Sequence, residues 1–147
     1  MKFTMKPIGI IYSPFTVKDE TPIQSARSKA SGSVEVFHEF AAGLQDLDGF
    51  SHLILLYVFH QSNHYDLLVQ PFLDDHWRGL FATRYPRRPN PIGISVVRLQ
   101  SIRENILDIE GADMLDGTPL LDIKPYVPDF DVYSNVKTGW YATRSKE

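Results

Sequence analysis

Gly79-Leu80-Phe81-Ala82-Thr83-Arg84-Tyr85-Pro86-Arg87-Arg88-Pro89-Asn90-Pro91-Ile92-Gly93-Ile94-Ser95 excludes a helix through its middle. Pro86, Pro89 and Pro91 each hold φ near about −65° and remove a backbone donor. They also press Tyr85, Arg88 and Asn90 towards extended backbone. The result is a stiff ledge carrying Arg84, Arg87 and Arg88, with Asn90 beside them and Gly93 where the backbone needs latitude. Three guanidiniums on rigid backbone suit the fixed-fork capture of phosphate or carboxylate oxygens. The plainer account is a solvated basic turn whose prolines stop a strand edge.

Working outward, the chain reads as many short strands. Residues 3–12 carry Ile8, Ile10 and Tyr12 at period two, ended by Ser13-Pro14. Residues 18–33 are polar and form a long loop, and residues 32–37 alternate again through Val34 and Val36. One or two helical turns are expected over residues 38–44, before the Asp48-Gly49 turn. Residues 51–60 hold an unbroken apolar and aromatic run whose β-branched content favours a strand buried on both faces. After the ledge, Ile94, Val96, Val97 and Leu99 lead to a hairpin at Glu104-Asn105 and a return strand at residues 106–109. The class is mainly β, in one domain spanning residues 1–147.

Composition narrows the setting. The 147 residues are 43% hydrophobic and 12% aromatic, enough for a packed core rather than a disordered chain. With no cysteine, disulfides and thiolate metal sites are out, and a reducing cytoplasm is the expected compartment. No apolar run approaches the ~20 residues of a membrane helix, so no membrane partner is expected. A net charge of −3 argues against wholesale coating of nucleic acid, and leaves residues 84–88 as the local basic face for an RNA. His60 and His64 with Asp66 nearby lack the helical H-E-x-x-H context, so no metal is expected. Asp74-Asp75 reads as a solvated turn, because nothing makes the two carboxylates converge.

A second motif, Asp113-Met114-Leu115-Asp116-Gly117-Thr118-Pro119-Leu120-Leu121-Asp122-Ile123-Lys124-Pro125-Tyr126, begins in turn chemistry. It then becomes a strand with Leu121 and Ile123 on one face and Asp122, Lys124 and Tyr126 at period two on the other. An exposed polar face with a surface ion pair is the plainer account of that row, and such pairs contribute little. The sharper account is a site in which the three groups tune one another's protonation.

The pattern FATR-x-x-x-RPNPIG followed by D-G-TP-x-x-DIKPY resembles the signature of the TsaA-like, or TrmO, family, and the resemblance spans nearly the whole chain. Tyr85 stands where the family carries a small residue. The resemblance implies a β-barrel that uses S-adenosylmethionine to methylate N6 of a threonylcarbamoylated adenosine beside the tRNA anticodon. It implies a homodimer with the cofactor near the interface. It also implies a cofactor set of Gln24, Ser25, Ala26, His60, Gln61, Arg84, Ser95, Leu115, Asp116, Gly117 and Thr118. Longer relatives carry a further C-terminal region that helps engage tRNA, with no counterpart in this sequence. No Rossmann glycine fingerprint is present, so the cofactor is expected to bind unlike that of α/β methyltransferases.

Chemistry then suggests roles. The N6 lone pair of a carbamoylated adenosine is delocalised, so transfer calls for loss of the N6 proton. Asp122 is the candidate base, with Lys124 and Tyr126 holding the threonyl carboxylate or carbamoyl oxygen. Asp116 would meet the cofactor's amino group and Arg84 its carboxylate or an RNA phosphate. The backbone N–H groups of the Asp116-Gly117 turn would approach the ligand. Arg87, Arg88 and Asn90 would take phosphates of the anticodon loop, with Tyr85 for base stacking. Two alternatives stand beside this reading: a non-catalytic RNA-binding barrel, and a methyltransferase of another RNA or a small molecule.

Overall fold

In a computed structural model, which describes residues 1–17, 29–71 and 74–143, six strands close into an antiparallel barrel. Around the wall run β1 (Gly9–Tyr12), β2 (Ser31–Val36), β7 (Ile106–Glu110), β6 (Ile92–Arg103), β3 (His52–Val58) and β8 (Thr118–Pro125), which closes on β1. β4 (Leu68–Val69) and β5 (Arg78–Gly79) form a separate small hairpin, and α1 (Pro128–Asp131) is one turn long. The connection at 38–44 is a 3₁₀ helix, His38–Leu44. Among the described residues, no helix is long and apolar enough to cross a membrane.

Alternation along each strand fills the interior. Ile11, Val34, Leu53, Leu55, Val97, Leu107, Ile109 and Leu120 are fully enclosed, and each such side chain contributes roughly 1.5–3 kcal/mol by leaving water. The first strand begins only at Gly9, and it is Ile11 that points inward, not the Ile8, Ile10 and Tyr12 set. β3 follows the expected run, but its two faces differ. Leu53, Leu55 and Tyr57 are buried, whereas Ile54, Leu56 and Val58 are half-covered on the outer wall.

β6 divides its apolar set between two faces, Val97 and Leu99 inward and Ile94 and Val96 outward. Gly93, Ser95 and Val97 face inward while Ile92, Ile94 and Val96 face solvent. The register Val58↔Ile92, Leu56↔Ile94 and Ile54↔Val96 puts these six apolar residues on one outer strip. In β8 a bulge opposite Leu56/Tyr57 shifts the phase. Leu120 therefore takes the inward place expected of Leu121, and Ile123 resumes it beyond the bulge, paired with Leu55.

The β6–β7 hairpin turns at Glu104-Asn105 as expected, with Glu104 at φ 58°. Buried Asn105 clamps it to β2: its Nδ2 donates to the Val36 carbonyl oxygen at 2.9 Å, and its own carbonyl accepts from the Val36 N–H at 2.9 Å. Across the hairpin Arg103 grips Asp108 through Nε (2.9 Å) and Nη2 (3.0 Å). The Arg103 hydrogen bond, then that of Ser101, pulls the Asp108 carboxyl from its usual 3.8 down to about 2. A carboxyl depressed in the folded state stabilises above its unfolded value and loses that contribution as pH falls through the folded one. The stability gap between the protein and an Arg103→Ala variant should therefore be present at pH 5 and close between about pH 4 and pH 2, as urea titrations across that range will measure.

Candidate functional site

Pairing decides which loops meet. Ile11 opposes Thr118, Val58 opposes Ile92 and Ser31 opposes Glu110. The ends of β1, β3 and β7 and the starts of β2, β6 and β8 therefore share one rim. The connections at residues 13–30, 59–91 and 111–117 begin and end there, whereas the one at 37–51 begins and ends at the opposite rim.

The first and third connections are stitched together. The N–H groups of Asp116 and Gly117 donate to the Phe15 and Ile11 carbonyl oxygens at 2.7 and 2.9 Å. Ser13 N–H donates to Asp116 Oδ1 (3.0 Å), and Ser13 Oγ to the Met114 carbonyl (2.6 Å). The expectation that these turn N–H groups face a ligand is thus corrected: both already have acceptors within the rim. Gly117 keeps its turn role, since its φ of 82° is a conformation that side chains other than glycine's rarely adopt. Asp116 stays exposed, an acid at the lip.

A largely buried polar chain joins the third connection to the barrel wall at β6 and β3. Ser95 Oγ donates to Asp113 Oδ1 at 2.7 Å, and Tyr57 Oη lies 2.7 Å from Ser95 Oγ. The carboxylate can only accept, so the hydroxyl of Ser95 points to Asp113 and the phenol of Tyr57 donates to Ser95. Burial, then the Asp113 charge, drives the Tyr57 phenol well above its ordinary value, while the Ser95 bond and the charge of Arg84 oppose that rise. Ser95, expected to touch the cofactor, is instead enclosed with its hydroxyl proton committed to Asp113. Its role is support of the rim.

The glycine of the ledge signature has a packing reason. A Cβ on Gly93 would lie 2.3 Å from Tyr57 Cε2 and 2.9 Å from Phe59 Cζ. Only a bare backbone lets the Tyr57 ring lie flat against β6.

The ledge is braced from within. Arg88 Nη1 donates to the Thr83 and Tyr85 carbonyls, both at 3.0 Å, and its guanidinium lies 5.8 Å from the Phe81 ring centroid. Arg87 Nη1 lies 3.0 Å from His64 Nε2. Trp140 reaches back from the 3₁₀ segment Gly139–Thr143 and donates its Nε1–H to the Ala82 carbonyl at 2.8 Å. Tyr85 is half-buried, and Phe81 is the exposed ring of this segment. Asn90, His60 and Gln61 are exposed, the latter two just past β3. Gln24, Ser25 and Ala26 fall outside the described residues.

Asp122, Lys124 and Tyr126 do not join this rim within one chain. Asp122 and Lys124 form a 3.1 Å ion pair on the outer wall beside Leu56 and Ile54, and both are largely solvated. Asp122 stands four residues beyond Thr118, about 13 Å along the strand at ~3.3 Å per residue. Tyr126 lies further towards the opposite rim, edge-on to His52 with centroids 6.2 Å apart. The row shares a face, as expected, but that face looks away from the barrel.

Sequence reasoning also passed over Asp74, which is a buried anchor rather than a solvated turn. Its Oδ2 accepts from Arg78 Nε (2.9 Å), and its Oδ1 accepts from the His76 N–H (3.1 Å). Asp74, Asp75 and His76 do gather ligand atoms within 4.8 Å of one another, though Asp74 already has these partners.

The connections that begin and end at this rim carry an exposed cation, Arg84, and an exposed acid, Asp116, with Leu115 half-buried before the acid. Comparison with known proteins agrees on kinship. A protein of Pyrococcus abyssi named as a probable S-adenosyl-L-methionine-binding protein is 57% identical over 92% of this chain and 74% of its own length. The mouse protein named tRNA (adenine(37)-N6)-methyltransferase is 39% identical over 89% of this chain but only 32% of its own. A crystal structure of TrmO from Pseudomonas aeruginosa superposes with a TM-score of 0.79 at 39% identity, covering 95% of this chain and 63% of that one. The chain thus spans about a third to three-quarters of these relatives. Residues 10–132 match the tRNA-methyltransferase O N-terminal domain, and the chain belongs to that family.

Proposed function

We propose that this chain is an S-adenosylmethionine-dependent methyltransferase acting on N6 of threonylcarbamoyladenosine next to the anticodon of tRNA. The observation that carries the reading is the single barrel rim at which the connections bearing Arg84 and Asp116 begin and end, in a domain whose relatives are named for binding this cofactor or for methylating tRNA adenine N6. When bound, S-adenosylmethionine supplies an electrophilic methyl group. The chain's own residues hold and orient. Arg84 takes the carboxylate of the methionine moiety and Asp116 its ammonium. Gln24, Ser25, Ala26, His60, Gln61 and Leu115 complete the cradle, Gly117 and Thr118 shape it, and Arg87, Arg88 and Asn90 face RNA phosphates. No metal takes part, and the work is done in the cytoplasm, where tRNA is found.

The outer apolar strip supports a homodimer. Ile92 and Ile94 are 39% and 47% exposed on a flat wall flanked by the Asp122–Lys124 pair, an arrangement that favours burial against a second copy. Closure there takes that pair out of bulk water and completes a site that one chain leaves open. Asp122 then removes the N6 proton, Lys124 restrains its charge, and Tyr126 positions the carbamoyl group. An Ile94→Glu variant is expected to sediment as a monomer without turnover, and a dimer with full activity would remove the strip from the account.

Arg84→Ala should weaken S-adenosylmethionine binding by about 1.5–3 kcal/mol, the range for a hydrogen bond to a charged group. Calorimetry with the cofactor, and a parallel titration with tRNA, will measure it; wild-type affinity for both places the role elsewhere. The activity itself is tested by incubating the protein with cofactor and tRNA from a strain lacking this modification, then digesting for mass spectrometry. The N6-methylated threonylcarbamoyl nucleoside is the expected product. Tight cofactor binding with no product would favour a second reading, a cofactor-binding protein without transfer; the Pyrococcus relative is named for binding alone.

A further inference from the structure

The β4–β5 hairpin exposes what a hairpin ordinarily hides. Leu68 opposes Gly79 in the ladder, and Trp77, just before β5, lines one groove with Leu68. That groove faces solvent: Trp77 is 68% exposed and Leu68 64%. The opposite face is tied down, with Val69 buried and Arg78 held by Asp74 and lying 5.2 Å from the Trp140 ring centroid. The hairpin is therefore anchored on one side and presents its indole on the other. Tyr65, Asp66 and Leu67 continue the surface as walls of the same shallow groove of about 600 Å³, its one carboxylate at Asp66, and Phe81, 74% exposed, follows directly from β5.

Gly79 keeps this face open. A Cβ there would meet nothing within 4 Å, and its φ of −61° suits any residue, so neither packing nor backbone strain calls for glycine. What a side chain would do is project into the space beside Trp77.

Positive charge lies alongside. Among the described residues no carboxylate stands within ion-pair distance of Arg87 or Arg88. Arg88 bonds neutral carbonyls next to Phe81, and Arg87 meets the imidazole of His64. Exposed rings next to uncompensated guanidiniums match what single-stranded nucleic acid needs, flat faces for bases and cations for the backbone.

We propose that Trp77 and Phe81, across the bare surface of Gly79, form a stacking platform for unpaired RNA bases, with Arg87 and Arg88 on the adjoining phosphates. This rests on the tRNA reading above and extends it from the phosphate-binding ledge to the hairpin. The platform replaces Tyr85 as the stacking group.

The test is fluorescence anisotropy with a labelled anticodon stem-loop, for the wild type, Trp77→Ala and Gly79→Glu. Calorimetry with S-adenosylmethionine and sedimentation accompany each variant. Trp77→Ala is expected to weaken RNA binding roughly 5- to 150-fold, the range for one lost stacking partner. Gly79→Glu, which fills the face with a negative charge, is expected to weaken it at least about tenfold. Cofactor affinity and sedimenting mass should stay as in the wild type. RNA binding indifferent to both substitutions overturns the platform and leaves the tRNA reading standing. A change in sedimenting mass makes the face a protein interface and overturns the platform too. No RNA binding by the wild type overturns both, with cofactor affinity reporting separately on the rim.

Discussion

An Asp122→Asn variant is expected to bind S-adenosylmethionine as the wild type does and to methylate tRNA about 10²- to 10⁴-fold more slowly, the range for loss of a general base. The substitution keeps the shape of the side chain and its acceptor for the Ile123 N–H, at 2.9 Å in the structure. It removes the charge that pairs with Lys124 Nζ at 3.1 Å. In a single chain that pair is a solvated surface contact, of a kind worth about 0–1 kcal/mol or less. A large kinetic effect with little change in stability is therefore what separates a base from a decorative ion pair. The measurement is single-turnover transfer at saturating cofactor, alongside thermal unfolding. Unimpaired turnover would mean that another group takes the proton.

Gly93→Ala is expected to destabilise the barrel by about 3 kcal/mol, the upper part of the usual range for overfilling a packed core. The added methyl would stand 2.3 and 2.7 Å from two carbons of the Tyr57 ring. That ring cannot easily retreat, because it is buried, its hydroxyl is bonded to Ser95 at 2.7 Å, and Phe59 packs edge-on with centroids 5.6 Å apart. Denaturant unfolding will read the loss directly. A double variant with Tyr57→Ala should be less damaged than the two single losses summed, since the clash disappears with the ring. A Gly93→Ala protein as stable as the wild type would show that β6 yields more readily than its pairing with β3 suggests.

Both predictions turn on what the sequence could and could not reveal. The three prolines made the ledge legible, because their restriction is local and needs no tertiary partner. The apolar run of β3 and the Glu104-Asn105 hairpin were legible for the same reason. Which face of β6 points inward was not. Isoleucine and valine ordinarily mark the interior, but the bulky Tyr57 ring across the ladder needs Gly93, and so turns Ile94 and Val96 outward. Period two likewise grouped Asp122 with Lys124 while leaving open which side of the wall they take, and a bulge in β8 moves the phase at Leu121.

The site divides in the same way. Arg84 and Asp116 were singled out from their motifs, and their two connections begin and end at one rim. Asp113 lay in plain view in the second motif, yet its significance depends on Ser95 and Tyr57, which reach it only when the barrel closes. The N–H groups of the Asp116-Gly117 turn looked free because their acceptors, Phe15 and Ile11, are about a hundred residues away in the chain. Turn chemistry can be read locally, whereas vacancy cannot.

Amide hydrogen exchange with and without S-adenosylmethionine tests most directly whether one barrel rim is the cofactor site. Cofactor is expected to slow exchange in residues 59–61, 83–88 and 113–118, the three stretches brought together above the open ends of β1, β3 and β7, and to leave the hairpin at 103–106 unchanged. Protection confined to that opposite rim, or no protection at saturating cofactor, would contradict the account.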